Sequence, residues 1–413
     1  MHKDKILSDS LFGSIKTLQE SGCVYQSYQD QTYDGRRVTI NDKEMLHFAS
    51  CGYLGLETNE EMIAATIDAV KRYGTQNSMS RAMISCPLYK ETEELLKQIF
   101  PGEQIVFPTT TLAHCSVLPA IIQPEDAIIL DAYAHNSLRM SSQLCASNGT
   151  YILKTKHNDI DFLKYMVYRL KKEGYKKIWY LADGVYSIHG NVCKVKELYN
   201  LLESESSLYA YVDDAHGLGW YGKHGRGCVL GEVDLHERMI VSGSLSKSFG
   251  ACGGIVVVKD KDVADYIRYT GQTMIFSGPI QPALLGALHA SAKLHLSDTI
   301  VEYQNELKDL IQFFRAESSR LELPVVTEGI SPIQLLRIGD MDKTFQVLSH
   351  LMQNGFFAMT AGYPAISKGD EGIRITVTRH LSKQDISNFL QCVKDALQLV
   401  NSKDEASLEV VEN

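Results

Sequence analysis

Apolar and polar residues follow one another along this chain in a pattern that predicts alternating strands and helices. From about residue 56 to 290, short apolar and β-branched runs recur at Gln104–Phe107, Ala127–Asp131, Lys177–Ala182, Leu208–Val212, Met239–Gly243 and Gly254–Val258. Helix-like stretches such as Asp159–Glu173 and Val195–Glu205 lie between several of them. Strands that alternate with helices predict an α/β fold, with a mostly parallel sheet flanked by helices.

The pattern changes after about residue 300, where a long amphipathic stretch over Ile300–Leu321 leads into a second strand–helix region. Its expected elements are Ile333–Ile338, Lys343–Asn354, Ile373–Thr378 and Lys383–Val400. We therefore predict four parts: an N-terminal arm (1–55) with a helix around Leu7–Glu20, a large domain (56–299), a smaller α+β C-terminal domain (300–400) and an acidic, frayed tail (401–413).

Composition narrows the classes of function. The 413 residues carry 41 Lys and Arg against 50 Asp and Glu, a net charge of −9, which argues against binding of nucleic acid or of an anionic membrane. No window reaches the ~18 apolar residues of a membrane span. The nine cysteines are scattered without a Cys-x-x-Cys pair, which argues against a disulfide framework and a zinc site. We expect a cytoplasmic enzyme without a metal.

Polar clusters follow four of the predicted strands, at their carboxyl ends. They begin at His135, Asp183, Asp213 and Ser244. In open parallel sheets the ligand crevice forms outside these strand ends. The sequence therefore predicts that the four clusters converge on one site.

A Gly-x-Gly-x-x-Gly run at Gly217–Gly222 resembles a dinucleotide fingerprint, and Glu237 follows at about the spacing of a ribose-binding acid. That fingerprint needs a helix to begin at its third glycine. Here Gly225 and Gly227 follow, and each would cost about 1 kcal/mol in a helix interior. We therefore interpret the run as a glycine-rich loop.

Two of the polar clusters suit pyridoxal phosphate. Lys247 lies among small hydroxyl residues directly after an apolar strand, and Asp213 and His216 follow another strand. Pyridoxal phosphate needs a lysine amine for its aldehyde, an acid for its pyridine nitrogen, and hydroxyls and backbone amides for its phosphate.

The order of motifs resembles the α-oxoamine synthase family, within the fold-type-I pyridoxal phosphate-dependent transferases. The resemblance covers roughly residues 45–395, and its markers are Gly52–Leu56, Ser80-Arg81, Asp131–His135, Val185–Ser187, Asp213–Gly217, Gly225–Gly227, Ser246-Lys247, Phe276-Ser277 and Ile373-Arg374. The ordered set is far more specific than any single marker. It implies that pyridoxal 5′-phosphate is the cofactor.

The resemblance also implies roles for individual residues. Lys247 matches the Schiff-base lysine and the base that removes the α-proton, and Asp213 matches the acid paired with the pyridine nitrogen. His216 matches the histidine on the phenolic oxygen, and His135 the one that stacks on the ring. Asp214 is expected to point away from the site, because neighbouring strand residues face opposite sides.

Further matches concern the phosphate and the second subunit. Ser187 matches a hydroxyl near the cofactor, and Ser244 a phosphate-binding hydroxyl. Thr110 and Thr111 align with a loop whose amides reach the phosphate. Ser277 matches a phosphate contact from the partner subunit, which implies a homodimer with a shared active site.

Substrate-facing positions include both matches and departures. Arg374 matches the arginine that pairs with the substrate carboxylate, a role that suits its bidentate fork. We also assign Ser80 and Cys51 to the substrate. However, the family writes Asn-Asp where this chain has Cys51-Gly52.

Other departures lie near the cofactor. The phosphate loop, usually Ser-Gly, an aromatic and Ala-Asn, is here Pro108–His114, while Cys86 replaces a glycine and His189 an aspartate. The cofactor residues are kept while the substrate-facing ones drift. We infer that the cofactor is retained and that the amino acid, the acyl donor or both are atypical.

The expected reaction is a decarboxylative Claisen-type condensation of a small amino acid with an acyl thioester, on CoA or a carrier protein, to an α-amino ketone. One alternative is a pyridoxal phosphate-dependent aminotransferase or decarboxylase. Another is a non-catalytic partner subunit of a synthase, against which the retained Lys247, Asp213, His216 and His135 speak.

Overall fold

The structure is a computed structural model and describes residues 10–20, 22, 24–363 and 365–411. Its strands are β1 (Arg37–Ile40), β2 (Lys43–His47), β3 (Glu103–Phe107), β4 (Ala127–Asp131), β5 (Tyr151–Thr155), β6 (Ile178–Asp183), β7 (Leu208–Asp213), β8 (Met239–Ser244), β9 (Gly254–Val258), β10 (Ile333–Arg337), β11 (Phe356–Phe357), β12 (Met359–Ala361) and β13 (Gly372–Thr376).

The α-helices are α1 (Ser10–Glu20), α2 (Glu60–Tyr73), α3 (Pro87–Ile99), α4 (Thr110–Ile121), α5 (Asn136–Ser147), α6 (Ile160–Lys172), α7 (Val195–Ser204), α8 (Gly227–Glu232), α9 (Lys261–Thr270), α10 (Gln272–Ile275), α11 (Pro282–His295), α12 (Thr299–Arg320), α13 (Met341–Gln353) and α14 (Lys383–Val411). Among the described residues, no helix is long and apolar enough to cross a membrane.

The chain divides into two compact units. One contains residues 51–187 and 191–307, and the other contains 1–50, 188–190 and 308–413. The segment expected as an N-terminal arm thus belongs to the same unit as most of the expected C-terminal domain. Of the helix expected around Leu7–Glu20, residues 7–9 lie outside the described residues. The closing helix α14 continues to Val411, beyond the expected end at Val400, so the stretch expected to fray is helical up to that residue.

The first unit is built on a seven-stranded sheet in the order β3-β9-β8-β7-β6-β4-β5. The pairs among β5, β4, β6, β7 and β8 are parallel, and only β9 runs antiparallel to its neighbours in this sheet. Every strand expected in this region is present within about one residue of its expected bounds. The predicted α/β fold with a mostly parallel sheet is confirmed.

Alternate side chains of each strand enter two different cores, which explains why these strands read as continuous apolar runs. Ile129 and Tyr180 pack in one cluster of buried residues, while Ile128 and Trp179, their chain neighbours, pack in another. A sheet covered on both faces buries both sets of side chains. The central strands are therefore held by burial from both sides.

Strand register brings the expected polar clusters to one edge of this sheet. Asp183 at the end of β6 pairs with Asp213 at the end of β7, and Asp213 pairs with Ser242 of β8. These parallel strands end side by side, which is the arrangement that creates a crevice in open α/β sheets.

The glycine-rich run follows β7 as turns, and the 3-10 turn Lys223–Gly225 comes after it. The nearest α-helix, α8, begins only at Gly227. The third glycine therefore does not open a helix. This confirms the interpretation as a loop rather than as a dinucleotide site.

The second unit contains two three-stranded sheets, β10-β13-β12 and β1-β2-β11. β13 lies between two antiparallel partners and carries the buried Arg374. Within this unit an Arg36–Asp385 ion pair at 2.8 Å ties the start of β1 to the start of α14. The predicted strand–helix content of this region is present.

Candidate active site

A cavity of about 200 Å³ lies at the carboxyl ends of β4, β6, β7 and β8. It is lined by Thr109, Thr110, Thr111, His135, Ser137, Asp183, Asp213, Ala215, His216, Ser244, Ser246 and Lys247. All four expected polar clusters contribute to it. The structure thus brings together the site residues Thr110, Thr111, His135, Asp213, His216, Ser244 and Lys247 that the sequence indicated.

The amino-terminal end of α4 forms one side of the cavity. Thr109 caps this helix by accepting a hydrogen bond from the Leu112 N–H at 3.1 Å, and Thr110 Oγ1 donates to the Gly243 carbonyl of β8 at 3.1 Å. The first turn of a helix has backbone N–H groups without helical partners, and they attract anions. A phosphate is suited to this end of the cavity.

Asp213 is buried at the end of β7. Its Oδ1 accepts the Ala215 N–H at 3.1 Å, and its Oδ2 lies 3.4 Å from His114 Nε2. His114 is completely buried on α4, and burial lowers its pKa although Asp213 acts in the opposite direction. The carboxylate therefore faces an imidazole whose neutral form is favoured.

A second acid, Asp183, lines the same cavity, and no individual role was predicted for it. Burial raises the pKa of Asp183 well above its usual range, and the negative charge of Asp213 adds to the effect, while the nearby Lys247 opposes it. Asp183 also accepts the His135 backbone N–H at 3.0 Å. It holds the segment that carries His135 in place.

His135 is the residue that precedes α5, and it lines the cavity. Its Nδ1 lies 2.7 Å from the Ser137 hydroxyl. Desolvation of the ring lowers the pKa of His135 although solvent reaches the residue as a whole, and the Lys247 charge acts in the same direction. A neutral imidazole suits stacking on an aromatic ring.

His216 is buried beside the fully buried Tyr53, whose hydroxyl lies 2.7 Å from His216 Nδ1. A hydrogen bond at one ring nitrogen fixes the orientation of an imidazole. Tyr53 belongs to the expected Gly52–Leu56 marker, and this contact gives that marker a physical role. Tyr53 therefore positions His216.

Lys247 lies half-buried in the connection between β8 and β9. The Gly250 N–H donates to its carbonyl at 2.8 Å, which closes a tight turn. Ser244, three residues earlier, accepts the Ser246 N–H at 3.2 Å. The turn thus presents an amine and two hydroxyls to the cavity.

Five expected site residues are not among those that line the cavity: Ser187, Ser277, Ser80, Cys51 and Arg374. Ser80 and Ser277 donate hydrogen bonds to the carbonyls of Ile275 and Thr273. Cys51 is half-buried, and Ser187 begins the turn Ser187–His189 after β6. Arg374 belongs to the other unit, where its guanidinium contacts Met359 Sδ at 4.0 Å. Their roles stay predictions.

The donor and acceptor groups of the cavity fit pyridoxal 5′-phosphate. The α4 amino terminus and Ser244 supply donors for a phosphate, Asp213 an acid for a pyridine nitrogen, and Lys247 an amine for an aldehyde. His216 adds a ring nitrogen suited to a phenolic oxygen. These residues could hold the cofactor without a metal.

Sequence reasoning missed the groups that support these residues. Asp183 and Ser137 both lay within expected polar clusters, and His114 appeared only as a departure from the family pattern. The signal for Asp183 is its position at the end of a strand adjacent to β7. For His114 no local signal exists, because its contact with Asp213 depends on how α4 packs on the sheet.

Comparisons with known proteins agree with this geometry. The family model described as aminotransferase class I and II matches residues 43–393. The 8-amino-7-oxononanoate synthase of Thermosipho melanesiensis is 30% identical over 392 residues, which cover 94% of each chain. The serine palmitoyltransferase of Bacteriovorax stolpii is 32% identical over 366 residues, covering 88% of this chain and 84% of that protein.

Solved structures show the same fold. The serine palmitoyltransferase of Sphingomonas wittichii superposes with a TM-score of 0.86 at 23% identity, over 95% of this chain and 98% of that one. The 8-amino-7-oxononanoate synthase of Francisella tularensis has a TM-score of 0.71 at 20% identity, over 86% of this chain and 98% of that one. The architecture is thus preserved at low sequence identity.

Proposed function

Since this chain belongs to the class I and II aminotransferase family, and within it to the α-oxoamine synthases, we propose that it is a pyridoxal 5′-phosphate-dependent acyltransferase. It joins a small amino acid to an acyl thioester with loss of carbon dioxide and yields an α-amino ketone. The observation that carries the proposal is the convergence of Lys247, Asp213, His216 and His135 in one cavity at the helix α4 amino terminus.

Each of these residues has a defined task. When bound, the cofactor supplies an electron sink that stabilises negative charge at the α-carbon of the amino acid. Asp213 holds the ring nitrogen protonated, because a charge pair is strong in a site shielded from water. His135 stacks on the ring and His216 donates to its phenolic oxygen. The Lys247 amine removes the α-proton and returns it to the product.

The central test replaces the lysine. We expect Lys247→Ala to lower the rate of free-thiol release from acyl-CoA plus glycine, alanine or serine by about ten-thousandfold. Lys259→Ala, at an exposed lysine that follows β9, is the matched control and should retain full activity. Undiminished turnover by Lys247→Ala would contradict the proposal.

The same assay separates the alternative reactions. An aminotransferase or an amino-acid decarboxylase would act on the amino acid without releasing thiol from the thioester. A non-catalytic partner subunit would show no visible absorbance after reconstitution and no change with borohydride. Titration of the reconstituted protein with single amino acids, followed by visible absorbance, identifies the amino acid that binds productively.

We further propose that the chain acts as a homodimer in the cytoplasm, with Ser277 completing the partner's site. Two observations support this: Ser277 does not line its own cavity, and the preceding Phe276 is 83% exposed. Met83 and Ile84, on the segment whose Ser80 donates to the Ile275 carbonyl, are also exposed, and a group of exposed apolar side chains marks an interaction surface.

Mixing of two inactive variants tests the shared site. Lys247→Ala and Ser277→Asp chains, unfolded and refolded together, should regain about a quarter of wild-type activity, because half of the dimers are mixed and each has one intact site. If Ser277 serves its own chain, both sites of a mixed dimer carry one defect and activity does not return. Light scattering gives the oligomeric state independently.

A further inference from the structure

A chain of side chains joins two of the proposed cofactor residues, and His114 is its centre. His114 Nε2 lies 3.4 Å from Asp213 Oδ2 and 3.1 Å from Ser242 Oγ. On its other side, Nδ1 lies 3.0 Å from the Ser137 hydroxyl, which is itself 2.7 Å from His135 Nδ1. Asp213 and His135 are thus connected through two intervening side chains.

The chemistry of these groups determines where the protons lie. A carboxylate only accepts hydrogen bonds, so a neutral His114 makes a favourable contact with Asp213 when its proton is on Nε2. His114 Nδ1 then accepts from the Ser137 hydroxyl, and the hydroxyl oxygen accepts from His135 Nδ1–H. The reverse arrangement turns a His114 lone pair towards the Asp213 carboxylate, which is unfavourable in a buried site.

A second donor lies near His135 Nδ1, so the position of the His135 ring proton depends on the series of contacts through His114 and Ser137. The Ser137 backbone N–H lies 3.2 Å from His135 Nδ1, as part of the cap of α5. When the Ser137 hydroxyl no longer accepts from Nδ1, this N–H makes Nδ1 an acceptor, and the ring proton moves to Nε2. The tautomer of His135 therefore depends on Ser137 and, through it, on His114.

We propose that His114 is a positioning residue that transmits the charge of Asp213, through Ser137, to the tautomer of His135. The inference rests on the proposed function, since Asp213 and His135 are assigned there to the cofactor ring. A change at His114 should therefore affect both the contact of Asp213 and the tautomer of His135.

Other groups also face the two imidazoles. Burial is the largest influence on both, the Lys247 charge lowers both pKa values, and the Asp213 charge raises them.

The asparagine that the resembled family has at the position of His114 would reach Ser137 with its amide but end short of Asp213. This makes His114→Asn a variant that removes one contact and keeps the other.

Nitrogen-15 NMR of the full chain labelled at histidine tests the inference, first without and then with pyridoxal phosphate. We expect the wild-type His135 to carry its proton on Nδ1, with its signal assigned by loss in His135→Gln. In Ser137→Ala and in His114→Phe the proton should be on Nε2. Ser141→Ala is the matched control, because this buried serine of the same helix contacts Cys115 at 3.3 Å and should leave the tautomer unchanged.

The same tautomer in wild type, Ser137→Ala and His114→Phe would overturn the inference, and so would a wild-type proton on Nε2. Circular dichroism establishes that each variant is folded, and Ser137→Ala decides alone if His114→Phe is not. The measurement on the cofactor-free chain is independent of the proposed function, which fails separately if the wild-type chain binds no pyridoxal phosphate.

Affinity provides a second readout. We expect the dissociation constant of pyridoxal phosphate to rise about tenfold in His114→Phe, somewhat less in His114→Asn, and about threefold in Ser137→Ala. A His114→Phe chain that binds the cofactor as tightly as wild type would show that His114 does not position Asp213.

Discussion

The cavity and the glycine-rich loop are neighbouring regions at the end of β7. Consecutive aspartates there face opposite ways, one towards each region. Asp213 lines the cavity and lies against the His114 imidazole. Asp214 does not line the cavity but is completely buried, where it accepts the Val229 N–H at 2.9 Å at the start of α8. Two neighbouring aspartates therefore have different roles, one in the cavity and the other in the packing of the protein interior.

The glycine-rich loop is shaped around Asp214. A Cβ atom on Gly217 would lie 2.0 Å from Asp214 Oδ1, one on Gly227 2.3 Å from Oδ2, and one on Gly184 2.4 Å from Oδ1. No side chain fits at such distances. At these positions, glycines that mimic a dinucleotide fingerprint make space for a buried carboxyl group.

The surroundings of Asp213 and Asp214 give the two carboxyl groups different chemical properties. Burial raises the pKa of Asp214 to about 8, so this carboxyl is mostly neutral at neutral pH. Asp213 has a backbone donor and an imidazole around it, and the amine of Lys247 lines the same cavity. Asp214 has backbone N–H donors around it, whereas Asp213 lines a cavity beside an imidazole and an amine, where an acid is able to hold a cationic ligand.

The largest expected difference between the two aspartates is the effect on kcat/KM when each is replaced by asparagine. Asp213→Asn keeps the shape but removes the charge opposite the ring nitrogen, so we expect kcat/KM to fall about a thousandfold, or ~4 kcal/mol. Asp214→Asn should change it less than about threefold. Steady-state thiol release measures both, and comparable losses in the two variants would show that the aspartates do not differ in role.

The next largest effect concerns packing around Asp214. Gly217→Ala forces a methyl group against the carboxyl and the Cys228 backbone, so we expect a loss of about 3 kcal/mol in the free energy of unfolding. Gly13→Ala is the control, because nothing lies within 4 Å of its Cβ position, and alanine should raise stability there by up to about 1 kcal/mol since Gly13 lies in helix α1. Urea unfolding measures both, and an unaffected Gly217→Ala would mean that the loop does not need its glycines to hold Asp214.

Comparison of these regions also shows which features the sequence could predict. Buried parallel strands are apolar on both faces, so β4, β6, β7 and β8 stand out, and their order along the chain brings Asp183, Asp213 and Ser244 to one edge. The edge strand β5 is partly exposed and carries no such run, and it was not predicted. The strand β2 pairs with β1 and with the distant β11, and a local pattern cannot indicate the second pairing.

The site residues also divide into those whose proximity the sequence could predict and those for which it could not. Lys247, Asp213 and His216 follow strands directly, so chain order suffices to bring them together. His114 approaches Asp213 only because α4 packs against the sheet. Arg374 belongs to the other unit, and its role at the substrate stays a prediction.

The smallest of these effects is a pH dependence that Asp214 should impose on stability. At low pH its carboxyl is protonated in both folded and unfolded chains. As pH rises from about 4 to about 8, the unfolded chain ionises at the ordinary value of 3.8 while the folded chain stays protonated, so stability falls across this window. Asp214→Asn lacks this response.

Subtraction of the two unfolding free energies isolates Asp214, because the other titrating groups are common to both chains. We expect the difference to move in favour of Asp214→Asn by about 1.4 kcal/mol per pH unit, or ~2.7 kcal/mol from pH 5 to 7. Urea unfolding at intervals of half a pH unit measures it. A constant difference would place the folded-state pKa of Asp214 near its ordinary value and would contradict the prediction.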